Sequence, residues 1–320
     1  MLNTRPVAVD VDGHRITVSA DDGVPLAVRT YGRSDAPLTV VFVHGHCLQT
    51  DSWRELRSYL TRAWGTDTHM VFYDHRGHGE SGEAPASTYT LDQLGCDLDA
   101  VIRAVVPVGP IVLVGHSMGA MTALVYARQH PETIGSRIVG VGLIASAASG
   151  LTSSGMGRYL RRPFVSALCG AVRWAPGVMH ASKRMSRTVC EPIVRNAAFG
   201  TRKVSARTIA VAAAMLNDTS IVTMSSFLDS FIEFDESDVL PILGRIPALI
   251  LGGSADVLVP FEHSIAIAAQ LPGSELVCLE GAGHGVILER AAEVAHSVTG
   301  LVEKVRGAVI RNPSVELAAG

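Results

Sequence analysis

Residues 111–119, Ile-Val-Leu-Val-Gly-His-Ser-Met-Gly, constrain this chain more than any other segment. Four apolar residues, Ile111 to Val114, run straight into Gly115-His116-Ser117-Met118-Gly119. A helix-forming stretch follows to His130, and Pro131 stops it. A G-x-S-x-G pattern placed where a strand turns into a helix is far more specific than the pattern alone. The two glycines lack a Cβ, so the chain can turn tightly and pass close to its neighbours. Ser117 is thereby pushed out of a sheet end with its hydroxyl at a helix N-terminus, where the helix dipole favours developing negative charge. The plainer reading is a serine that only caps the helix.

A serine hydroxyl is a weak nucleophile near neutral pH and needs a base, and the base needs an orienting acid. Pro247-Ala-Leu-Ile-Leu251 reads as a buried strand and ends in Gly252-Gly-Ser-Ala-Asp256, which places Asp256 on the loop beyond it. Ser274-Glu-Leu-Val-Cys-Leu279 is a further strand candidate, ending in Glu280-Gly-Ala-Gly-His284-Gly285. In a parallel sheet the loops after successive strands emerge at one edge. Ser117, Asp256 and His284 are therefore the candidate nucleophile, orienting acid and base.

With these motifs in order, the chain resembles the α/β-hydrolase-fold serine hydrolases, of esterase and lipase type, from about residue 14 to about residue 306. Val40-Val-Phe-Val-His44-Gly45-His46 is similar to the family's strand and H-G loop, and Asp74-His-Arg76-Gly77-His-Gly79-Glu-Ser81 to its D-x-R-G-x-G-x-S loop. The order Ser117, Asp256, His284 matches the family's triad. The resemblance implies an α/β fold, a mostly parallel doubly wound sheet of about eight strands, with an inserted helical cap. It also implies an oxyanion hole formed by the backbone N–H groups of His46 (or Cys47) and Met118.

The remaining pattern agrees with that class. An opening hairpin, 14–19 and 26–31, turns at Asp21-Asp22-Gly23. Strands at 39–43, 69–74, 111–115 and 139–145 then alternate with helices at 52–63, 91–106 and 117–130. The rhythm breaks at about 151 and resumes near 236 with the strand at 247–251, closing with a helix from about 286 to 306. The expected organisation is a core in two parts, 1–150 and 236–307, a helical cap at 151–235, and a tail at 308–320.

Four helical patterns fill the cap: 164–174, 181–196, 204–216 and 221–234. It holds eleven Lys and Arg against five Asp and Glu, a balance of +6. Met156, Met179, Met185, Met215 and Met224 also lie in it. Unbranched methionines adapt to flexible apolar groups, so Met185, Met215 and Met224, with Cys47 on the oxyanion loop, are candidate substrate contacts. The plainer reading has the methionines packing within the cap and the basic residues forming a wet face.

Other readings are weaker. His44, His46, Asp74, His75 and His78 resemble a metal cluster, but Cys47-Leu48-Gln49 stands where a binuclear site would need its next ligands, so no metal is expected. His44 reads as a brace for the oxyanion loop, and Asp74 and Arg76 as anchors of the next one. The net charge of −3 exerts no global pull on nucleic acid. The first ten residues lack an apolar secretory segment, and no run of 18 or more apolar residues occurs, so no membrane span is expected. Five scattered cysteines without a C-x-x-C pair fit a reducing cytoplasm. The sequence carries no signal of oligomeric state.

The expected activity is hydrolysis of a carboxylic ester or related acyl bond of an apolar small molecule, through an acyl-enzyme and without a cofactor. Ser117 at the elbow argues against epoxide hydrolases and dehalogenases of this fold, which place Asp there. Carbon–carbon bond hydrolases, lactonases and cofactor-free perhydrolases keep the same triad and stay open. A non-enzymatic ligand receptor ranks below them.

Overall fold

The computed structural model describes residues 13–159, 162–174, 198–201 and 203–311. β1 (His14–Ser19) and β2 (Pro25–Tyr31) form the expected hairpin. β3 (Thr39–Val43), β4 (His69–Tyr73), β5 (Ile111–His116), β6 (Ile138–Ile144), β7 (Ala248–Gly253) and β8 (Glu275–Leu279) complete one sheet in the order β1-β2-β4-β3-β5-β6-β7-β8. The β1–β2 and β2–β4 pairs are antiparallel; the pairs from β4 through β8 are all parallel.

The helices, in chain order, are α1 (Arg54–Trp64), α2 (Leu91–Val105), α3 (Met118–Gln129), α4 (Arg162–Trp174), α5 (Ala206–Asp218), α6 (Ile221–Ser226), α7 (Leu228–Glu233), α8 (Leu240–Leu243), α9 (Phe261–Gln270), α10 (Val286–Glu289) and α11 (Ala291–Arg311). Strands β3 to β7 are buried along their whole length, as parallel strands covered on both faces must be. The pleat sends alternate residues to opposite faces. In β3, Val41 and Val43 join one core and Val40 and Phe42 the other. α2, α3, α8 and α9 cover the first, and α1, α10 and α11 the second. Helix α1 turns Leu56, Leu60 and Trp64 inward, one every fourth residue, which is the stripe a surface helix needs.

Two expected helices are interrupted. The 221–234 pattern forms α6 and α7, which meet at the fully buried Phe227. The 286–306 pattern breaks at Arg290, whose φ of −130° and ψ of 39° leave the helical region. Helix α11 then continues to Arg311, into the expected tail, because no proline stops it before Pro313.

The chain leaves the sheet after β6 and returns at one neck. Ser149 and Asp235 form an antiparallel bridge there. The Glu236 N–H donates to Ala148 O at 2.8 Å, and Arg128 of α3 pairs with the Glu236 carboxylate at 2.8 Å. Between the two sides of this neck α4 packs on α6 and α7. The expected helix at 181–196, with Met179 and Met185, lies outside the described residues. No single helix among the described residues is long and apolar enough to cross a membrane.

Candidate active site

Parallel strands β5, β7 and β8 deliver Ser117, Asp256 and His284 to one edge of the sheet. Ser117 has φ 52° and ψ −118°, a left-handed backbone that costs a non-glycine residue energy and persists only when its surroundings enforce it. The Ser117 N–H donates to Ile144 O at 2.8 Å, and the Ser146 hydroxyl donates to Ser117 O at 3.0 Å. The elbow also needs Gly119, where an added Cβ would lie 2.0 Å from Val43 O. Although Ser117 stands at the N-cap position of α3, its side chain makes no capping bond. Instead Oγ lies 2.9 Å from His284 Nε2. The plain capping reading therefore does not describe it.

His284 Nδ1 lies 2.8 Å from Asp256 Oδ2. The other oxygen of that carboxylate accepts the N–H groups of Leu258 and Val259, both at 2.9 Å. A carboxylate acts only as an acceptor when ionised, so Nδ1 carries the imidazole proton and Nε2 is left to accept from the serine hydroxyl. The Asp256 side chain is almost fully buried, and that of His284 is 13% exposed, open toward the cavity beside Ser117. His116 points away from Ser117, as its place beside the elbow implies. Its Nε2 donates to His284 O at 2.9 Å, so it braces the loop carrying the base.

The loop after β3 approaches the elbow from the opposite side. The Cys47 N–H donates to His78 Nε2 at 3.1 Å, which removes Cys47 from the oxyanion alternatives. Among the described residues no other group engages the N–H of His46 or of Met118. His44 Nδ1 donates to Gly45 O at 2.8 Å while its Nε2 accepts the His75 N–H at 3.0 Å, the bracing expected of it. Asp74 accepts the N–H of Thr50 at 2.6 Å and of Glu80 at 2.9 Å. Arg76 is fully buried and pairs with buried Asp97 at 2.6 Å and with Asp22 at 2.7 Å. Burial favours the neutral ring, so His44, His46, His78 and His116 are pushed down to about 3. His75 lies well below its ordinary value for the same reason. Their ring nitrogens serve backbone groups, and no group of three or more His, Cys, Asp or Glu among the described residues is arranged to hold a metal ion.

Two cavities meet at Ser117 and His284, one of about 540 Å³ and one of about 220 Å³. Cys47 lines both. Met224 lines the larger one, as does Met156. Met215 does not: it is buried within α5, while its neighbour Leu216 lines both cavities. Met121 of α3, Leu228 and Phe231 also line the larger one and carried no sequence signal. No Lys, Arg, Asp or Glu lines either cavity among the described residues. Arg158, Lys203 and Arg207 of the 151–235 segment are exposed.

The 151–235 segment touches the loops after β3 and β8. His46 Nε2 donates to Met224 O at 3.1 Å. Residues 198–201 run beside the His284 loop: Gly285 donates to Ala198 O and Thr201 to Gly281 O. Glu289 Oε2 accepts the N–H groups of Gly200 and Gly283, at 3.1 and 2.9 Å. Sequence reasoning did not single out Glu289, because its partners lie in a loop and in a distant cap segment.

A family model described as alpha/beta hydrolase fold matches residues 39–291. An sn-1-specific diacylglycerol lipase of Mus musculus is 26% identical over 267 residues, 83% of this chain and 81% of that protein. A bifunctional esterase/perhydrolase of Acinetobacter calcoaceticus is 25% identical over 280 residues, 84% of this chain and 92% of its own. The structure of a thermophilic esterase from Thermogutta terrifontis superposes with a TM-score of 0.71 at 23% identity, covering 92% of this chain and 99% of that one.

Proposed function

The chain belongs to the α/β-hydrolase family and is an enzyme of that family, and on that premise we propose that it cleaves a carboxylic ester of an apolar small molecule through a covalent acyl-enzyme. One observation carries the reading: an unbroken relay from Ser117 Oγ to His284 Nε2 at 2.9 Å and from His284 Nδ1 to Asp256 Oδ2 at 2.8 Å.

In the proposed reaction Ser117 Oγ attacks the ester carbonyl carbon as its proton passes to His284 Nε2. Asp256 keeps the imidazole in the competent tautomer and stabilises the imidazolium. The N–H groups of His46 and Met118 donate to the oxyanion, each lowering the barrier by about 3 kcal/mol. His284 then protonates the alkoxide oxygen, and the alcohol departs. A water molecule, deprotonated by the same His284, attacks the acyl carbon, and Ser117 recovers its proton as the acid leaves. The 151–235 segment acts as a cap that shields the site from water. No step uses a cofactor. A cytoplasmic location stays part of the proposal, resting on the scattered cysteines.

Turnover of a chromogenic short-chain ester tests this reading. Wild-type protein should hydrolyse it, and His284→Ala and Asp256→Asn should each lose most of the rate while staying folded by circular dichroism. Full activity in either variant would contradict it.

A further inference from the structure

The two cavities differ in size by more than twofold and meet at the reacting groups. Both touch Ser117 and His284, so a carbonyl carbon attacked by Ser117 sits at their junction. Leu216 and Leu258 border both, as do His46 and Cys47.

Position separates the two arms of an ester. The leaving oxygen must end at His284 Nε2 to receive its proton, so the alcohol chain continues into the space beside that residue. Both cavities touch His284, but only the smaller one is lined by the residues that follow it, Gly285 and Leu288, and by His116, together with Phe199 and Ala212, and we take it as that space. His116 lies against His284, with ring centroids 5.2 Å apart. The larger cavity leads away from the His284 loop toward Met121, Leu228 and Phe231. Neither is lined by a charged side chain among the described residues, so a charged group entering either would lose its hydration and find no partner among those residues.

We infer that the substrates are uncharged esters of a bulky apolar acid with a small alcohol, the acyl group occupying the 540 Å³ cavity and the alcohol the 220 Å³ one. This rests on Ser117 being the nucleophile. The residues that set the limits are Ala212 and Phe199 for the alcohol, and Leu228 and Phe231 for the acyl group.

A matrix of esters tests the assignment, with acyl chains from acetyl to decanoyl crossed with alcohols from methanol to octanol. Wild-type kcat/KM should rise with acyl length and fall at least tenfold as the alcohol grows from ethyl to octyl. A methyl ester whose acyl chain ends in a carboxylate should be at least tenfold poorer than its uncharged counterpart. Ala212→Phe should lower the alcohol limit and Phe199→Ala should raise it, with the acyl profile keeping its shape. Leu228→Trp should shorten the acyl profile and leave the alcohol limit in place. The opposite assignment, with Ala212→Phe moving the acyl profile, overturns the inference, as does a preference for the charged ester. A fluorophosphonate labelling control separates the layers. Ser117 labelled with no ester turned over overturns the substrate class alone, whereas Ser117 unlabelled removes the nucleophile and this inference with it.

Discussion

The N–H of Gly283 donates to Oε2 of Glu289 at 2.9 Å, one residue before the histidine that faces Ser117. The same oxygen accepts the Gly200 N–H at 3.1 Å, so one carboxylate holds the His284 loop and a cap segment together. The backbones touch so closely that a Cβ on Gly283 would lie 2.5 Å from Gly200 N.

Glu289→Ala frees that loop, and misplacing a catalytic group by about 1 Å costs on the order of 10²-fold in rate. We expect kcat to fall roughly 10- to 100-fold with a smaller change in KM, and Glu289→Gln, which keeps an acceptor oxygen, to recover part of the loss. Steady-state kinetics on one neutral ester decide it. An unchanged kcat in Glu289→Ala would mean that the loop holds its position without the clamp.

The buried histidines give stability a defined pH dependence. His44, His46, His78 and His116 titrate near 3 when folded, against about 6.5 when unfolded. Below 6.5 the unfolded chain takes up protons that the folded one refuses, so stability is present above that value and lost as pH falls from 6.5 toward 3. Each such proton weakens folding by about 1.36 kcal/mol per pH unit. The urea midpoint should fall steeply between pH 7 and pH 5 (chosen conditions), with an uptake of about four or more protons on unfolding near pH 5. Calorimetry in buffers of different ionisation enthalpy counts them. A pH-independent midpoint, or no uptake, would contradict the buried neutral state.

Arg76 and Asp97 form a fully buried ion pair at 2.6 Å that ties the loop after β4 to α2. Breaking such a pair strands a charge and costs about 3–5 kcal/mol. Asp97→Ala should lower Tm by several degrees or more while the protein that remains folded keeps its kcat. A Tm equal to wild type would show that Asp22 alone suffices for the guanidinium.

The sheet and the candidate triad were legible because their signals are local. Each apolar run ends in a glycine-bearing loop, and parallel pairing brings distant loops to one edge without further information. Cap contacts were legible only in part. Met215 and Leu216 are adjacent, yet helical geometry turns them about 100° apart, and only Leu216 reaches the cavities. Composition favoured the methionine, whereas the cavity is set by which face of α5 turns toward Ser117. Glu289 was invisible for a related reason: it acts on backbone N–H groups, which leave no trace in side-chain pattern. The break at Arg290 likewise falls inside a continuous helical periodicity.

The central claim is that Ser117 is the nucleophile, and peptide mapping after reaction with a fluorophosphonate probe tests it most directly. One adduct is expected, on the peptide that carries Ser117. Labelling should be abolished in Ser117→Ala, and that variant should lose at least ~10³-fold in kcat on the chromogenic ester. An adduct on another residue, or a Ser117→Ala variant with near-normal turnover, would contradict it.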